Sequence, residues 1–186
     1  MKAPVFVSIS QQLSATEKKW FAVRTQLRCE KRVLASLSEN SIEAYLPIQK
    51  YTRKWGRRIA HVEKPLINNY IFVKITRKEY VAVLDTQFVY SFVKFGDQIL
   101  EIPESEISII KAVIGEFIDV EVQDFDIQEG EQIEIVGGQL TGVKAKLVEK
   151  KGRNKVLIQL NSVGFGLLVD IDIKYIRRLG TIGMAR

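Results

Sequence analysis

The sequence predicts two folded segments of different class, an α+β segment over residues 20–117 and a small β-barrel over residues 127–180. In the first segment, strand-like runs alternate with stretches whose apolar residues recur every three or four positions, which is the pattern of helices that cover a sheet. In the second, short β-type runs are separated by glycines, a spacing typical of a small barrel. A chain of 186 residues with 46% hydrophobic residues can bury a core in both segments.

The first segment opens with a strand and an amphipathic helix. Residues 20–25, WFAVRT, are apolar and aromatic and favour a strand. Cys29, Val33 and Leu37 then recur at helical spacing, which predicts a helix with one buried stripe and an exposed basic face. On that stripe we expect Cys29 to be a core thiol and not a nucleophile.

A basic hairpin and a buried strand follow. Residues 42–48 favour an extended conformation, because Pro47 is disfavoured in a helix interior. Two strand-like arms flank Gly56 and predict a β-hairpin whose tip is rich in arginine and lysine. Residues 69–75, NYIFVKI, are the clearest strand of the chain.

Two more helices with a strand between them complete the first segment. Thr76 can cap a short helix that ends near Leu84, and residues 88–95 return to strand character. Pro103 and the acidic residues after it open the last helix, at the end where the helix dipole favours negative charge. The apolar face of this helix is predicted at Ile107, Ile110 and Ile114.

Three further stretches carry no pattern of a folded segment. Residues 118–126, IDVEVQDFD, contain four acids and no helical period, so they predict an exposed linker. Residues 1–19 are predicted to form a flexible tail. The opening residues lack the apolar run and the cleavage site of a signal peptide. Residues 181–186 are predicted to form a second tail.

The composition argues against several classes of function. One cysteine and one histidine cannot form a disulfide framework or a Cys/His zinc site within the chain, and no cofactor is expected. Neither a GxxxxGK[ST] phosphate loop nor a GxSxG elbow occurs, so an enzyme is disfavoured. No apolar run approaches the roughly 20 residues of a membrane helix. A reducing cytoplasm is the simplest location, and a net charge of +6 is compatible with a polyanionic partner.

Several motifs resemble the NusG family of transcription factors, in which an NGN domain precedes a KOW domain. In the first segment they are WFAV at 20–23, EKPL at 63–66, NYIFV at 69–73 and FVKFG at 92–96. In the second they are EGEQIEI at 129–135 and GQLTG at 138–142. NYIFV, FVKFG and the basic hairpin are most similar to specialised, operon-specific paralogues of the RfaH and UpxY type.

The resemblance implies a fold and a set of partners. It implies an NGN α/β sandwich at 20–117, with helices flanking an antiparallel sheet, and a KOW SH3-like β-barrel at 127–180. It further implies a monomer without catalytic activity that binds the clamp helices of the largest RNA polymerase subunit. The residues at the family's polymerase-binding positions are Ile67, Tyr70, Phe72 and Phe95. From the residues alone, Phe72 and Phe95 could equally be core, whereas Tyr70 favours exposure because its hydroxyl needs a polar partner.

Two groups of basic residues are candidate nucleic-acid contacts. At the hairpin tip, cations that can pair with phosphates flank a tryptophan that can stack on a base: Arg53, Lys54, Trp55, Arg57 and Arg58. The resemblance places this hairpin near upstream DNA. Near the first helix, the resemblance places Arg24, Arg28 and Arg32 where specialised relatives read the non-template DNA strand. For both groups the alternative is a solvated charged face.

The barrel offers a candidate protein contact. In this family the KOW domain docks onto ribosomal protein S10 and, in general factors, onto the termination factor Rho. Val163, Gly164 and Phe165 match the contact region, and Phe165 is either an exposed anchor or a core residue. RfaH-like proteins can refold this domain into a helical hairpin, but the β-branched residues here favour the barrel.

These implications predict a transcription elongation and antitermination factor that suppresses pausing or termination. A competing interpretation is a standalone nucleic-acid-binding or ribosome-associated KOW protein. It would explain the basic charge but not the aromatic NYIFV and FVKFG motifs, and tight RNA binding without polymerase would be its signature.

Overall fold

The chain folds into two compact units. The computed structural model describes residues 12–56, 58–117, 120–124, 130–150 and 153–179. Among these residues, the first unit comprises 12–48 and 67–107, and the second comprises 49–66 and those from 108 to 179. The basic hairpin and most of the last helix therefore group with the β-rich part, whereas the sequence pattern assigned both to the first segment.

The helices and strands predicted from the sequence are confirmed. Within the described residues the order is β1 (Lys19–Thr25), α1 (Glu30–Glu39), β2 (Glu43–Tyr45), β3 (Ile48–Trp55), β4 (Arg58–Pro65), β5 (Tyr70–Ile75), α2 (Tyr80–Leu84), β6 (Val89–Phe92), β7 (Lys94–Phe95), β8 (Gln98–Ile99), β9 (Glu101–Ile102), α3 (Glu104–Glu116), β10 (Glu121–Asp124), β11 (Glu131–Ile135), β12 (Lys144–Lys150), β13 (Arg153–Leu160), β14 (Phe165–Val169) and β15 (Ile176–Arg178). Short 3-10 helices lie at Arg77–Glu79, Gly138–Leu140 and Ile173–Tyr175.

An antiparallel sheet with β1 at its centre organises the first unit. β1 pairs with β5 on one side and with β6 and β9 on the other, and β5 also pairs with β2. Because side chains alternate along a strand, Phe21 and Val23 face one side of the sheet and Ala22 the other. Phe21 and Val23 pack in the core with Val33 and Leu37 of α1, and all four are buried. This confirms the buried stripe predicted for α1.

Contacts of Gln12, Leu13, Ser14 and Lys18 hold residues 12–18 to the rest of the first unit, so the flexible tail predicted for residues 1–19 is wrong over this stretch. Leu13 is 2% exposed and belongs to the same hydrophobic core as Val33 and Leu37 of α1. The Gln12 amide donates to the Asp97 carbonyl and accepts from the Ile99 N–H, at 3.1 and 3.0 Å. A lone leucine among polar residues has no periodicity, so the sequence could not reveal this contact. Residues 1–11 lie outside the described residues.

A capping box starts the helical turn before α2, as the position of Thr76 predicted. The Glu79 carboxylate accepts from the Thr76 N–H at 2.8 Å and from the Thr76 hydroxyl at 3.0 Å, and it pairs with Lys18. Partial burial alone would raise the pKa of Glu79, but these hydrogen bonds and Lys18 hold it below its ordinary value.

The second unit contains a six-stranded antiparallel sheet with the order β10-β14-β13-β12-β11-β15. Ile133, Ile158, Leu167 and Val169 are almost completely buried, which confirms the β-rich core predicted for this segment. Gln49, Tyr51 and Lys64 from the hairpin arms β3 and β4 line a cavity of about 400 Å³ with Glu121 and Lys155 of this sheet.

The exposed linker predicted for residues 118–126 is also wrong where the structure describes it. Glu121–Asp124 forms β10, an edge strand in continuous register with β14, and Val120 before it is buried. Acids alternate here with valines, which is a strand pattern that the charge obscured. Lys155 donates to the Glu121 carboxylate at 2.8 Å, and this hydrogen bond, with Asp170 nearby, raises the pKa of Lys155.

We expect Leu13→Ala to lower the free energy of unfolding by about 2–5 kcal/mol, because it leaves a cavity in the core. Denaturant unfolding of the full chain measures the change, with exposed Thr16→Ala as the matched control. Equal stabilities of the two variants would show that residues 12–18 behave as a loose tail.

We expect Glu79→Ala to destabilise the fold at neutral pH by about 0.5–2 kcal/mol, through loss of the cap. The pKa of Glu79 is lower in the folded state, so its contribution is present above the ordinary value of 4.5 and is lost as pH falls below it. Thermal unfolding across pH, with exposed Glu39→Ala as control, checks this. A difference between wild type and Glu79→Ala that persists unchanged into acid would contradict it.

Candidate functional site

Two of the four candidate polymerase contacts are buried. Phe72 is fully buried and stacks on Tyr45, with ring centroids 6.4 Å apart, and Ile67 is 6% exposed. Burial raises the pKa of Tyr45 to about 12. Neither Phe72 nor Ile67 can act as a surface anchor in this conformation, and we correct both to core residues. The core alternative for Phe72 is therefore the right one.

Tyr70 lies beside Arg24, which the sequence analysis assigned to the candidate nucleic-acid contacts. The two are directly opposed in the β1–β5 register, so their side chains share one face of the sheet with Cβ atoms about 5 Å apart. Tyr70 is half-buried and Arg24 is exposed. Strand alternation directs Arg24 away from the face of the sheet that α1 covers.

Phe95 is the most exposed large apolar residue among the described parts of the chain, at 78%. It ends β7 at the tip of a short hairpin with β8, and Gly96 supplies the left-handed backbone, φ +59°, that the turn needs. The core alternative for Phe95 is therefore excluded. A large ring held in water on a tight turn is suited to insertion into a partner.

The start of α1 carries exposed, unneutralised charge. Arg28 precedes the helix in a left-handed conformation, φ +61°, and Arg32 lies in its first turn. In the described part of the chain, neither arginine, nor Arg24, has a carboxylate within ion-pairing distance. The Arg32 guanidinium carbon lies 4.2 Å from the centroid of the Phe88 ring. Cys29, at the N-cap, is half-buried and so lies at the edge of the core that was predicted to contain it.

Three segments meet at this end of the sheet. The Thr25 N–H donates to the Asn69 carbonyl, and the Gln26 N–H donates to the Phe88 carbonyl, both at 2.8 Å. The buried Glu30 carboxylate accepts from the Asn69 N–H at 2.8 Å. Two buried side-chain atoms of this junction, Thr25 Oγ1 and Asn69 Oδ1, have no hydrogen-bond partner within the described residues. We name this arrangement the loop junction.

The sequence missed Glu30, Asn69 and Phe88 as site residues. Asn69 and Phe88 both have positive φ, +64° and +72°. Asparagine tolerates this conformation and is a recognisable turn signal, but phenylalanine adopts it only under strain, so no local signal identifies Phe88. Glu30 is found only from the structure, since an acid in the first helical turn is usually exposed.

The basic hairpin is confirmed as a hairpin, with β3 paired to β4 and Gly56 at φ +59° in the turn. Arg57 and the side chains of Arg53, Lys54, Trp55 and Arg58 lie outside the described residues. Their contact with phosphates stays a prediction.

The three candidate contact residues in the β-rich unit differ in how far they are exposed. Val163 is half-buried and Gly164 exposed, in the turn between β13 and β14, where Gly164 has φ +76°. Phe165 is 7% exposed at the start of β14. The core alternative for Phe165 is therefore correct, and only Val163 and Gly164 are accessible for a partner.

Neither a metal centre nor a membrane helix is visible in the part of the chain that the structure describes. Within it, no group of three His, Cys, Asp or Glu side chains is arranged to hold a metal ion. None of its helices combines the length and apolar character required to cross a bilayer.

Comparison with known proteins decides the family. A family model described as "Transcription termination factor nusG" matches residues 18–111, half of the chain. The chain belongs to the NusG family. The motif resemblance is thereby confirmed, and the protein is a NusG-family transcription termination/antitermination factor with a mixed α+β fold.

Named relatives agree with this assignment. Over 181 residues the chain is 26% identical to the "Transcription termination/antitermination protein NusG" of Streptococcus pyogenes serotype M3, covering 90% of this chain and 99% of that protein. It is 23% identical over 176 residues to the protein of the same description from Lactococcus lactis subsp. lactis, covering 88% and 95%. The solved structure "Domain interaction in Thermotoga maritima NusG" matches with a TM-score of 0.58 at 19% identity, covering 90% of this chain and all of that one. This last similarity supports the fold.

We expect Phe165→Ala to destabilise the chain by about 3–5 kcal/mol, because a buried ring is lost from the β-rich core. Val163→Ala, on the adjoining turn, should cost much less. Denaturant unfolding of both variants measures the difference. If Phe165→Ala were as stable as Val163→Ala, Phe165 would be the exposed anchor instead.

Proposed function

We propose that this NusG-family protein binds RNA polymerase at the clamp helices of the largest subunit and suppresses pausing or termination. The observation that carries the proposal is Phe95, an aromatic ring 78% exposed on a tight hairpin turn. Aromatic anchors contribute most of the binding energy at many protein interfaces, so this ring is suited to be covered by a partner. Binding would act by stabilising one conformation of the polymerase, so no bond is made or broken.

Tyr70 and Arg24 supply a second, polar contact in this proposal. Their opposed positions on β5 and β1 present a hydroxyl and a guanidinium together on one sheet face. Arg24 has no ion pair within the described residues, so its charge is free to meet a carboxylate of the polymerase. The contact would therefore combine an apolar anchor at Phe95 with a charged one at Arg24.

DNA and a second protein are the further partners that we propose. Arg28 and Arg32 carry exposed charge at the loop junction, which favours contact with the non-template strand, and the basic hairpin is suited to upstream DNA. The β-rich unit would recruit ribosomal protein S10 or Rho through the turn at Val163 and Gly164. The motifs FVKFG and NYIFV support a specialised, operon-specific paralogue. We further propose that the protein acts as a monomer and in the cytoplasm.

Binding to bacterial core RNA polymerase tests this function. We expect Tyr70→Ala combined with Phe95→Ala to weaken binding at least about 30-fold, the equivalent of the ~2 kcal/mol of a hot spot. Val81→Ala, which truncates an exposed side chain elsewhere in the first unit, is the matched control and should bind like wild type. Tyr70→Phe separates the ring from the hydroxyl. Circular dichroism establishes that each variant is folded.

Two results would contradict the proposal. Equal binding by wild type and the folded double variant would exclude these residues as the polymerase contact. If the wild-type protein did not bind polymerase but bound RNA or ribosomes tightly, the standalone nucleic-acid-binding interpretation would be favoured.

A further inference from the structure

Gln12 contacts the hairpin that carries Phe95 through both polar groups of its side chain. Its amide nitrogen donates to the Asp97 carbonyl at 3.1 Å, and its amide oxygen accepts from the Ile99 N–H at 3.0 Å. A residue in a parallel strand bonds in the same way to the carbonyl and the N–H of two alternate residues on its neighbour. The Gln12 side chain therefore takes the place of one residue of a further strand at the outer edge of β8.

The hairpin depends on such contacts because it is small. β7 and β8 contribute two residues each and form a two-stranded sheet of their own. Isolated two-stranded hairpins are marginally stable at best in water. Ile99 is buried, and the Val93 N–H donates to the Ala22 carbonyl at 2.8 Å, so the base of the hairpin is fixed to the core and to β1. Gln12 holds the opposite end, at Asp97 in the turn.

The ring of Phe95 does little to fix its own position. It is 78% exposed, so packing within the chain cannot hold it. An interface anchor that is correctly placed for only a fraction of the time binds with an affinity reduced by that fraction. The backbone of the hairpin, and the groups that hydrogen-bond to it, therefore determine how well Phe95 can serve as an anchor.

Gln12 is itself held in place by the residues that follow it, and we name residues 12–18 the N-terminal strap. Leu13 is buried in the core of the first unit. The Arg77 N–H donates to the Ser14 carbonyl at 2.8 Å, and the Arg77 guanidinium donates to the Leu13 carbonyl at 3.2 Å. The strap thus joins the β7–β8 hairpin to the turn that precedes α2.

We infer that Gln12 is a positioning residue for polymerase binding, which holds the turn of the β7–β8 hairpin and thereby places the ring of Phe95. The inference rests on the proposed polymerase contact at Phe95 and adds the residue that fixes this contact. The amide of Gln12 is engaged within the chain, so Gln12 acts through Phe95 and not as a contact of its own.

Binding of the full chain to bacterial core RNA polymerase, measured as a double-mutant cycle, tests this role. We expect Gln12→Ala to weaken binding about fivefold, as loss of exposed hydrogen bonds predicts. In the Phe95→Ala background the same substitution should have no further effect, because the ring that Gln12 positions is absent. Gln87→Ala, an equal truncation of an exposed glutamine in the first unit, is the matched control and should bind like wild type.

A second measurement, made without polymerase, observes the hairpin directly. In Gln12→Ala the Ile99 N–H loses its acceptor, so its hydrogen exchange should accelerate at least about fivefold, while exchange of Val93 at the base stays unchanged. The NMR order parameter of the Phe95 amide should fall from about 0.85 to below about 0.6. An unfolding midpoint close to that of wild type establishes that the variant is folded. Gln87→Ala should change none of these quantities.

Two results would overturn the inference itself. The first is unchanged exchange of Ile99 together with an unchanged order parameter of Phe95 in Gln12→Ala. The second is equal weakening of polymerase binding by Gln12→Ala with and without the Phe95 ring, because Gln12 would then be an independent contact.

The same data distinguish failure of the inference from failure of the proposed function. If Phe95→Ala weakens binding and Gln12→Ala does not, the positioning role is wrong and the polymerase contact stands. If the wild-type protein does not bind polymerase, the proposed function fails and the positioning role fails with it. The exchange of Ile99 then still decides whether Gln12 holds the hairpin.

Discussion

The antiparallel pairing of β1 at the centre of its sheet is the constraint on which the first unit depends. Because β1 has hydrogen-bonded neighbours on both sides, its alternation of side chains fixes what each face of the sheet presents. Phe21 and Val23 must face α1, and Arg24 must then face the opposite side next to Tyr70. One register thereby sets both the core and the position of a candidate contact.

Hydrogen bonds at the end of β1 fix the two neighbouring loops. Backbone donors of Thr25 and Gln26 bind the carbonyls of Asn69 and Phe88, so the turns before β5 and β6 are held by the strand that lies between them. Both turn residues have positive φ, which a free loop would not select for a phenylalanine. The junction therefore concentrates strain and unneutralised charge at one place, as binding sites commonly do.

Predictions from the sequence were correct where a local pattern extended over several residues. They were wrong where a structure depends on one buried residue or on a pattern masked by charge. The helical stripe of α1, the NYIFV strand and the helix cap at Thr76 follow from local periodicity or from local hydrogen bonding, and each is present. Leu13 and the strand β10 were missed, since one buried leucine has no period and the charge of residues 118–126 concealed an alternation of valines. Of the candidate anchors, Phe72 and Phe165 are core, because burial of an aromatic residue depends on which elements cover its face of the sheet.

The sequence by itself determined the family, the order of most helices and strands, and the presence of aromatic and basic residues from which a contact can be made. These depend on residue type and spacing along the chain, which a linear pattern preserves. Only the tertiary structure decided which of those residues reach the surface: Phe95 and Arg24 do, and Phe72, Ile67 and Phe165 do not. It also brought Arg32 onto Phe88, a pair separated by 55 intervening residues. Exposure and long-range contact are set by how strands pair and what packs upon them, and neither is encoded in local spacing.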